Sequence, residues 1–178
     1  MNSKTLFSLC IFGFIALFVH GKQQDFIIYT KQPVKIACSD SEGQVVRTSL
    51  EILCRDFQAV LSSNTNIDAN TGDIIVGTIG QSDLLRQVQL DTSVLKDKKQ
   101  AFLLAVSPEG KLVVAGSDKH GTAYGVLEIS RLLGVSPWEW WADVVPEKRK
   151  SFTLSSKFKS LQFPSVEYRG IFINDEDW

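Results

Sequence analysis

Five short apolar runs alternate along this chain with two long stretches whose apolar residues recur every three or four positions. The runs are Phe26 to Tyr29, Val34 to Cys38, Asp73 to Ile79, Ala101 to Val106 and Lys111 to Ala115. Each is too brief for a stable helix and has the length of a strand. Between them, Gln44 to Leu61 carries Val46, Leu50, Leu53, Phe57 and Val60 at steps of four, three, four and three, while Arg47, Glu51, Arg55 and Asp56 face elsewhere. Lys119 to Leu133 carries Tyr124, Leu127, Ile129, Leu132 and Leu133 and is followed by Gly134, suited to a left-handed helix cap. The pattern predicts an α/β or α+β fold, a mixed sheet of about five strands covered by two main helices.

The punctuation refines this reading. Lys31-Gln32-Pro33 predicts a tight turn joining the first two strands, Asn64 to Gly72 a polar loop, Ser82 to Val88 a short helix, and Ser107-Pro108-Glu109-Gly110 a hairpin turn. A last polar strand is expected over Ser151 to Ser155. Pro164 and the residues before it suit neither a helix nor a central strand, so residues 156–165 read as a connection between domains. Beyond it, Val166 to Ile173 reads as a strand running into Asp175, Glu176 and Asp177. Parallel α/β sheets and barrels present polar residues in this way, at the C-terminal ends of buried strands. The expected division is residues 1–21 as a signal, 22–155 as an α/β domain, 156–165 as a linker and 166–178 as the start of a second domain.

Met1 to Gly21 has Lys4, an apolar run from Leu6 to Val19 and a small residue at Gly21, the layout of a secretory signal peptide with cleavage near Gly21. The run is short for a bilayer span, so a secreted or periplasmic protein is expected, with no membrane association after cleavage. Removing Lys4 leaves 18 basic and 20 acidic side chains, a balance that gives no basic face for nucleic acid. Cys38 and Cys54 remain, either as a disulfide in an oxidising compartment or as packed free thiols. With His120 as the single histidine after the signal, no metal-ligand spacing is formed.

Gly116 to Thr122 follows a strand and opens a helix with G-x-x-x-x-G spacing, the setting of a phosphate-binding loop. Thr122 stands where that loop needs lysine and Ala123 where it needs a magnesium ligand, so neither nucleotide nor cofactor is expected. Gly121 and Gly125 instead read as sites of close helix–sheet approach, with Asp118 or Ser117 as the N-cap. His120 has no nucleophile elbow to serve and reads as a polar residue of the first helical turn. Trp138, Trp140 and Trp141 could stack on sugar rings or form a dry contact with a following domain. The acidic end could be catalytic or a solvated terminus. Glycoside hydrolysis needs two carboxyl groups about 5 to 10 Å apart, and neighbours in one loop do not usually supply both.

Three stretches, HGTAYG (120–125), LGVSPWEWWADVVP (133–146) and YRGIFINDEDW (168–178), resemble the N-terminal part of glycoside hydrolase family 115, the xylan α-glucuronidases. The resemblance implies a secreted enzyme that removes α-1,2-linked glucuronic acid or its 4-O-methyl ether from xylan with inversion. It also implies an accessory α/β domain, similar to the one preceding the barrel in hexosaminidase-like hydrolases, followed directly by a (β/α) barrel. In that layout Arg169 to Ile173 is the first barrel strand, Asp175 is a catalytic residue, and Asn174 and Glu176 bind substrate. The partner is glucuronoxylan or a related polysaccharide, reached through the rest of the barrel. The chain by itself is then expected to be inactive. The alternative is a freestanding exported module that binds carbohydrate or protein.

Overall fold

The computed structural model describes residues 23–170. Residues 1–22, which include the expected signal segment, and residues 171–178, with Asn174, Asp175 and Glu176, lie outside the described residues. Among the described residues, eight strands and three α-helices follow in the order β1 (Phe26–Tyr29), β2 (Val34–Cys38), α1 (Gln44–Leu61), β3 (Thr65–Asp68), β4 (Ile74–Thr78), β5 (Phe102–Val106), β6 (Leu112–Gly116), α2 (Lys119–Leu133), α3 (Glu139–Ala142), β7 (Ser151–Leu154) and β8 (Lys159–Gln162). Both long helices have the expected limits. The main sheet has six strands in the order β3-β2-β4-β6-β5-β8, and β1 and β7 form a separate antiparallel ribbon. The fold is therefore the mixed α/β arrangement read from the alternation, with more edge strands than the apolar runs disclosed.

Strands β3, β2, β4 and β6 are mutually parallel, and the β5–β6 hairpin adds antiparallel pairing. Every residue of β4, β5 and β6 is buried, which needs cover on both faces of the sheet. On one face Ile36, Val76, Val114 and Leu104 join Leu50, Leu53 and Phe57 of α1 and Val126 and Ile129 of α2 in the principal core. On the other, Ala37, Ile75, Val113, Leu103 and Ala115 meet Leu84 and Leu95, brought in by two short 3₁₀ turns at Asp83–Gln87 and Ser93–Leu95. The first of these turns takes the place of the expected short helix.

Three expectations are corrected. The turn at Tyr29 to Gln32 exists, but β1 and β2 do not pair with each other. Thr30 N–H donates to Lys150 O and Lys31 N–H to Leu61 O, so the turn sends β1 away to β7. The polar loop after α1 contains β3, a parallel edge strand whose last three residues are exposed. The expected connection over 156–165 contains β8, paired with β5 from Phe102↔Gln162 to Ala105↔Lys159. Between β3 and β4 the chain crosses β2 in five residues. It passes so close at Gly72 that an added Cβ would meet backbone atoms of Ile36 and Ala37.

Candidate functional site

The loop that resembled a phosphate cradle is filled by its own side chains. Asp118 caps α2: its Oδ1 accepts from His120 N–H (3.0 Å) and Gly121 N–H (2.8 Å), and its Oδ2 from Gln100 N–H (2.6 Å). Ser117 Oγ accepts from Ala101 N–H at 3.0 Å. The amides a phosphate would need already point at a carboxylate. A Cβ at Gly121 would run into Ala101 O, and one at Gly125 would lie 2.6 Å from Val114 Cγ1, so both glycines let α2 lie directly on β5 and β6. His120 is exposed in the first turn of α2, as its sequence position indicated.

The polar residues at the C-terminal end of β4 are also internally satisfied. Glu42, 3% exposed, accepts from Thr78 N–H and Thr78 Oγ1–H, each at 2.7 Å, and Thr78 Oγ1 lies 2.7 Å from Thr122 Oγ1. Cys38 and Cys54 are free thiols. Burial, reinforced by Glu42, pushes the Cys38 thiol up to about 12, and burial raises Cys54 as well. Neither is a nucleophile at neutral pH. No cluster of three or more metal-ligating side chains occurs among the described residues, and no helix among them is long and apolar enough to cross a membrane.

The concavity lies elsewhere. A groove of about 620 Å³ runs between the outer face of α2, the Ile52–Asp56 turn of α1, the Ser136–Glu139 corner and the chain that follows β8. Its floor and sides combine Tyr124, Leu127 and Phe163 with three polar groupings. Glu128 accepts from Arg131 Nε (2.7 Å) and Nη2 (2.6 Å) and from Gln162 Nε2 (3.0 Å), and this carboxylate raises the Arg131 pKa. Arg55 bridges buried Asp56 and Glu139, each at 3.1 Å, tying α1 to α3. The guanidinium of Arg169 lies 5.3 Å from the Tyr124 ring centroid and donates to Gln100 Oε1 at 2.8 Å. Asp56 Oδ2 and Ser130 Oγ have no hydrogen-bond partner among the described residues.

The tryptophan stretch forms the corner beside this groove. Trp138 is 63% exposed, and Glu139 ties α3 to α1 through Arg55. Residues 166–170, the described part of the expected barrel strand, are not a strand. Val166 and Tyr168 are 56% and 89% exposed, and the segment is held by side chains, Lys99 Nζ to Glu167 Oε1 at 2.7 Å and Gln100 Nε2 to Glu167 O at 3.3 Å. The groove was not read from the sequence. The Glu128–Arg131 spacing was visible as a helix-surface pair, but Arg55–Glu139 and Gln100–Arg169 join residues far apart in the chain.

Neither the family models nor the curated proteins gave a match. Among solved structures, the chain is similar to BtGH115A, a family GH115 4-O-methyl-alpha-glucuronidase with specificity for decorated arabinogalactans. The identity is 72% over 86% of this chain, with a TM-score of 0.84. The chain belongs to glycoside hydrolase family 115. It spans 20% of the length of that enzyme. Two further likenesses are weak: CpGH84D, at 9% identity and a TM-score of 0.46 over 65% of this chain and 20% of that one, and a GH20 exo-β-N-acetylglucosaminidase from Vibrio harveyi, at 13% and 0.41 over 77% and 16%. For this family 115 segment, the described residues supply a packed α/β unit and a groove whose surface is mostly apolar.

Proposed function

We propose that this chain is the N-terminal accessory domain of an exported α-glucuronidase, which releases α-1,2-linked glucuronic acid or its 4-O-methyl ether from a decorated polysaccharide with inversion. The observation that carries this reading is the 72% identity to a 4-O-methyl-alpha-glucuronidase over 86% of the chain. Inversion requires an acid and a water-activating base about 6.5 to 9.5 Å apart, with room for a water between. Three well-placed carboxylates of the described domain already serve other tasks: Asp118 caps a helix, Glu42 holds Thr78, and Glu128 holds Arg131. Chemistry then belongs to a barrel, with Asp175 as one of its acidic residues and Asn174 and Glu176 at the sugar. The accessory domain supports that barrel and does not hydrolyse substrate.

Reading the coding DNA past the codon for Trp178 and assaying the encoded enzyme tests this. An open frame of several hundred codons whose product releases glucuronic acid from glucuronoxylan or decorated arabinogalactan, when the 178-residue chain releases none, is the expected result. Release by the 178-residue chain itself overturns it. Running both polysaccharides side by side decides between the xylan expected from the sequence resemblance and the arabinogalactans on which the similar enzyme acts.

A further inference from the structure

The groove has one wall made by residues that are otherwise hard to account for. After β8 the chain does not turn into solvent. It runs along α2, clamped by Lys99–Glu167, Gln100–Arg169 and the stacking of Arg169 on Tyr124, and leaves Phe163, Val166 and Tyr168 exposed. Across from it, Tyr124 and Leu127 of α2 are 39% and 37% exposed. Large apolar side chains gathered on one face of a domain mark an interaction surface.

We propose that this groove is the seat of the catalytic body of the same enzyme, which inserts apolar side chains between Leu127 and Phe163. This rests on the reading of the chain as an accessory domain. Two observations select this occupant over a sugar. The charged side chains at the groove are already paired, Glu128 with Arg131 and Gln162, and Arg55 with Asp56 and Glu139, and the two unpartnered oxygens, Asp56 Oδ2 and Ser130 Oγ, are buried beneath its surface, whereas a sugar is recognised by accessible polar groups reserved for its hydroxyls. What remains is an apolar centre inside a rim of satisfied charges, the anatomy of a contact between folded domains. The similar enzyme carries four-fifths of its length beyond the part this chain matches, which provides a body to dock.

The test introduces single cysteines into the full-length enzyme, Leu127→Cys and Phe163→Cys in the groove and Glu109→Cys on the exposed β5–β6 turn, and measures maleimide labelling by peptide mass. Labelling at both groove positions at least tenfold slower than at Glu109→Cys, with or without saccharide, is expected. Comparable rates overturn the proposal, and so does slow labelling that appears only when glucuronoxylan oligosaccharides are added, since that makes the groove a sugar site. If one groove variant fails to fold, the other reports alone. Should both fail, Leu127→Asp decides by thermal unfolding: a loss of several degrees in the full-length enzyme but not in the 178-residue chain supports docking, and equal shifts in both overturn it. Protected groove positions in an enzyme inactive on both polysaccharides would overturn the α-glucuronidase reading while leaving the docking intact. A reading frame that stops after Trp178 would remove both.

Discussion

Glu42 grips Thr78 with both carboxyl oxygens, taking the backbone N–H on one and the hydroxyl on the other at 2.7 Å each. Glu42 sits just before α1 and Thr78 ends β4, so one side chain joins the start of a helix to the rim of the sheet. Glu42→Ala strands the buried Thr78 N–H and leaves the Thr78 hydroxyl only Thr122 Oγ1, so it is expected to cost about 1 to 3 kcal/mol in urea unfolding, with Glu42→Gln losing less because its amide oxygen still accepts one of the two donors. Equal, negligible losses would mean that water replaces the carboxyl freely.

The α1 face gives a graded series. Phe57→Ala should cost about 3 to 5 kcal/mol because the ring is fully buried, and exposed Gln58→Ala under about 0.5. Arg55→Ala should fall between them. Its position in the helical repeat alone would predict under about 1 kcal/mol, but it neutralises the buried Asp56. Thermal or denaturant melts of the three variants check the order.

Two helix glycines separate backbone from side-chain crowding. A Cβ at Gly121 meets the carbonyl of Ala101, which cannot move without breaking the β5 start, whereas one at Gly125 meets Val114 and Phe102 side chains at 2.6 and 3.1 Å. Gly125→Ala is expected to cost about 1 to 3 kcal/mol and Gly121→Ala more. The reverse order in equilibrium unfolding would show that α2 shifts as a body.

Alkaline pH should expose the Cys38 burial. The folded chain holds this thiol protonated to about 12 against an ordinary 9.0, so between those values the folded state binds more protons than the unfolded one. Its contribution is whole below pH 9 and declines as pH rises toward 12. Wild type should therefore lose stability relative to Cys38→Ala above pH 9, by at most about 1.4 kcal/mol per pH unit. Parallel curves for the two proteins would contradict the burial.

In the full-length enzyme, Asp175→Ala should lower turnover by at least about a hundredfold if that carboxyl is an acid or base of the reaction. Full activity in steady-state assays on a glucuronide-bearing polysaccharide would exclude it.

What the sequence disclosed was whatever is written locally. The limits of α1 and α2 follow from an unbroken apolar face and, for α2, from Asp118 and Gly134 at its ends, all within a few residues of the helix they define. β3 and β8 escaped because edge strands bury little. Thr65 to Asp68 and Lys159 to Gln162 are mostly exposed, and their place is set by backbone bonds to partners chosen elsewhere. The same limit hid the partner of β1. Nothing near Phe26 says that Leu154 will lie opposite it. The groove depended on Arg55 meeting Glu139 and Gln100 meeting Arg169, contacts that exist only once the helices and the final segment have been laid together.

The ribbon of β1 and β7 imposes a schedule on biosynthesis. Phe26, among the first residues of the fold to be made, has its ring edge-on to Phe152 and its backbone opposite Leu154. At about 5 to 20 residues per second, the wait for that partner is on the order of ten seconds. During this interval Phe26 and Ile28 lack the part of their cover that Phe152 and Leu154 supply. A synonymous codon change that slows translation between these two strands would lengthen that exposure without altering a single contact in the finished protein.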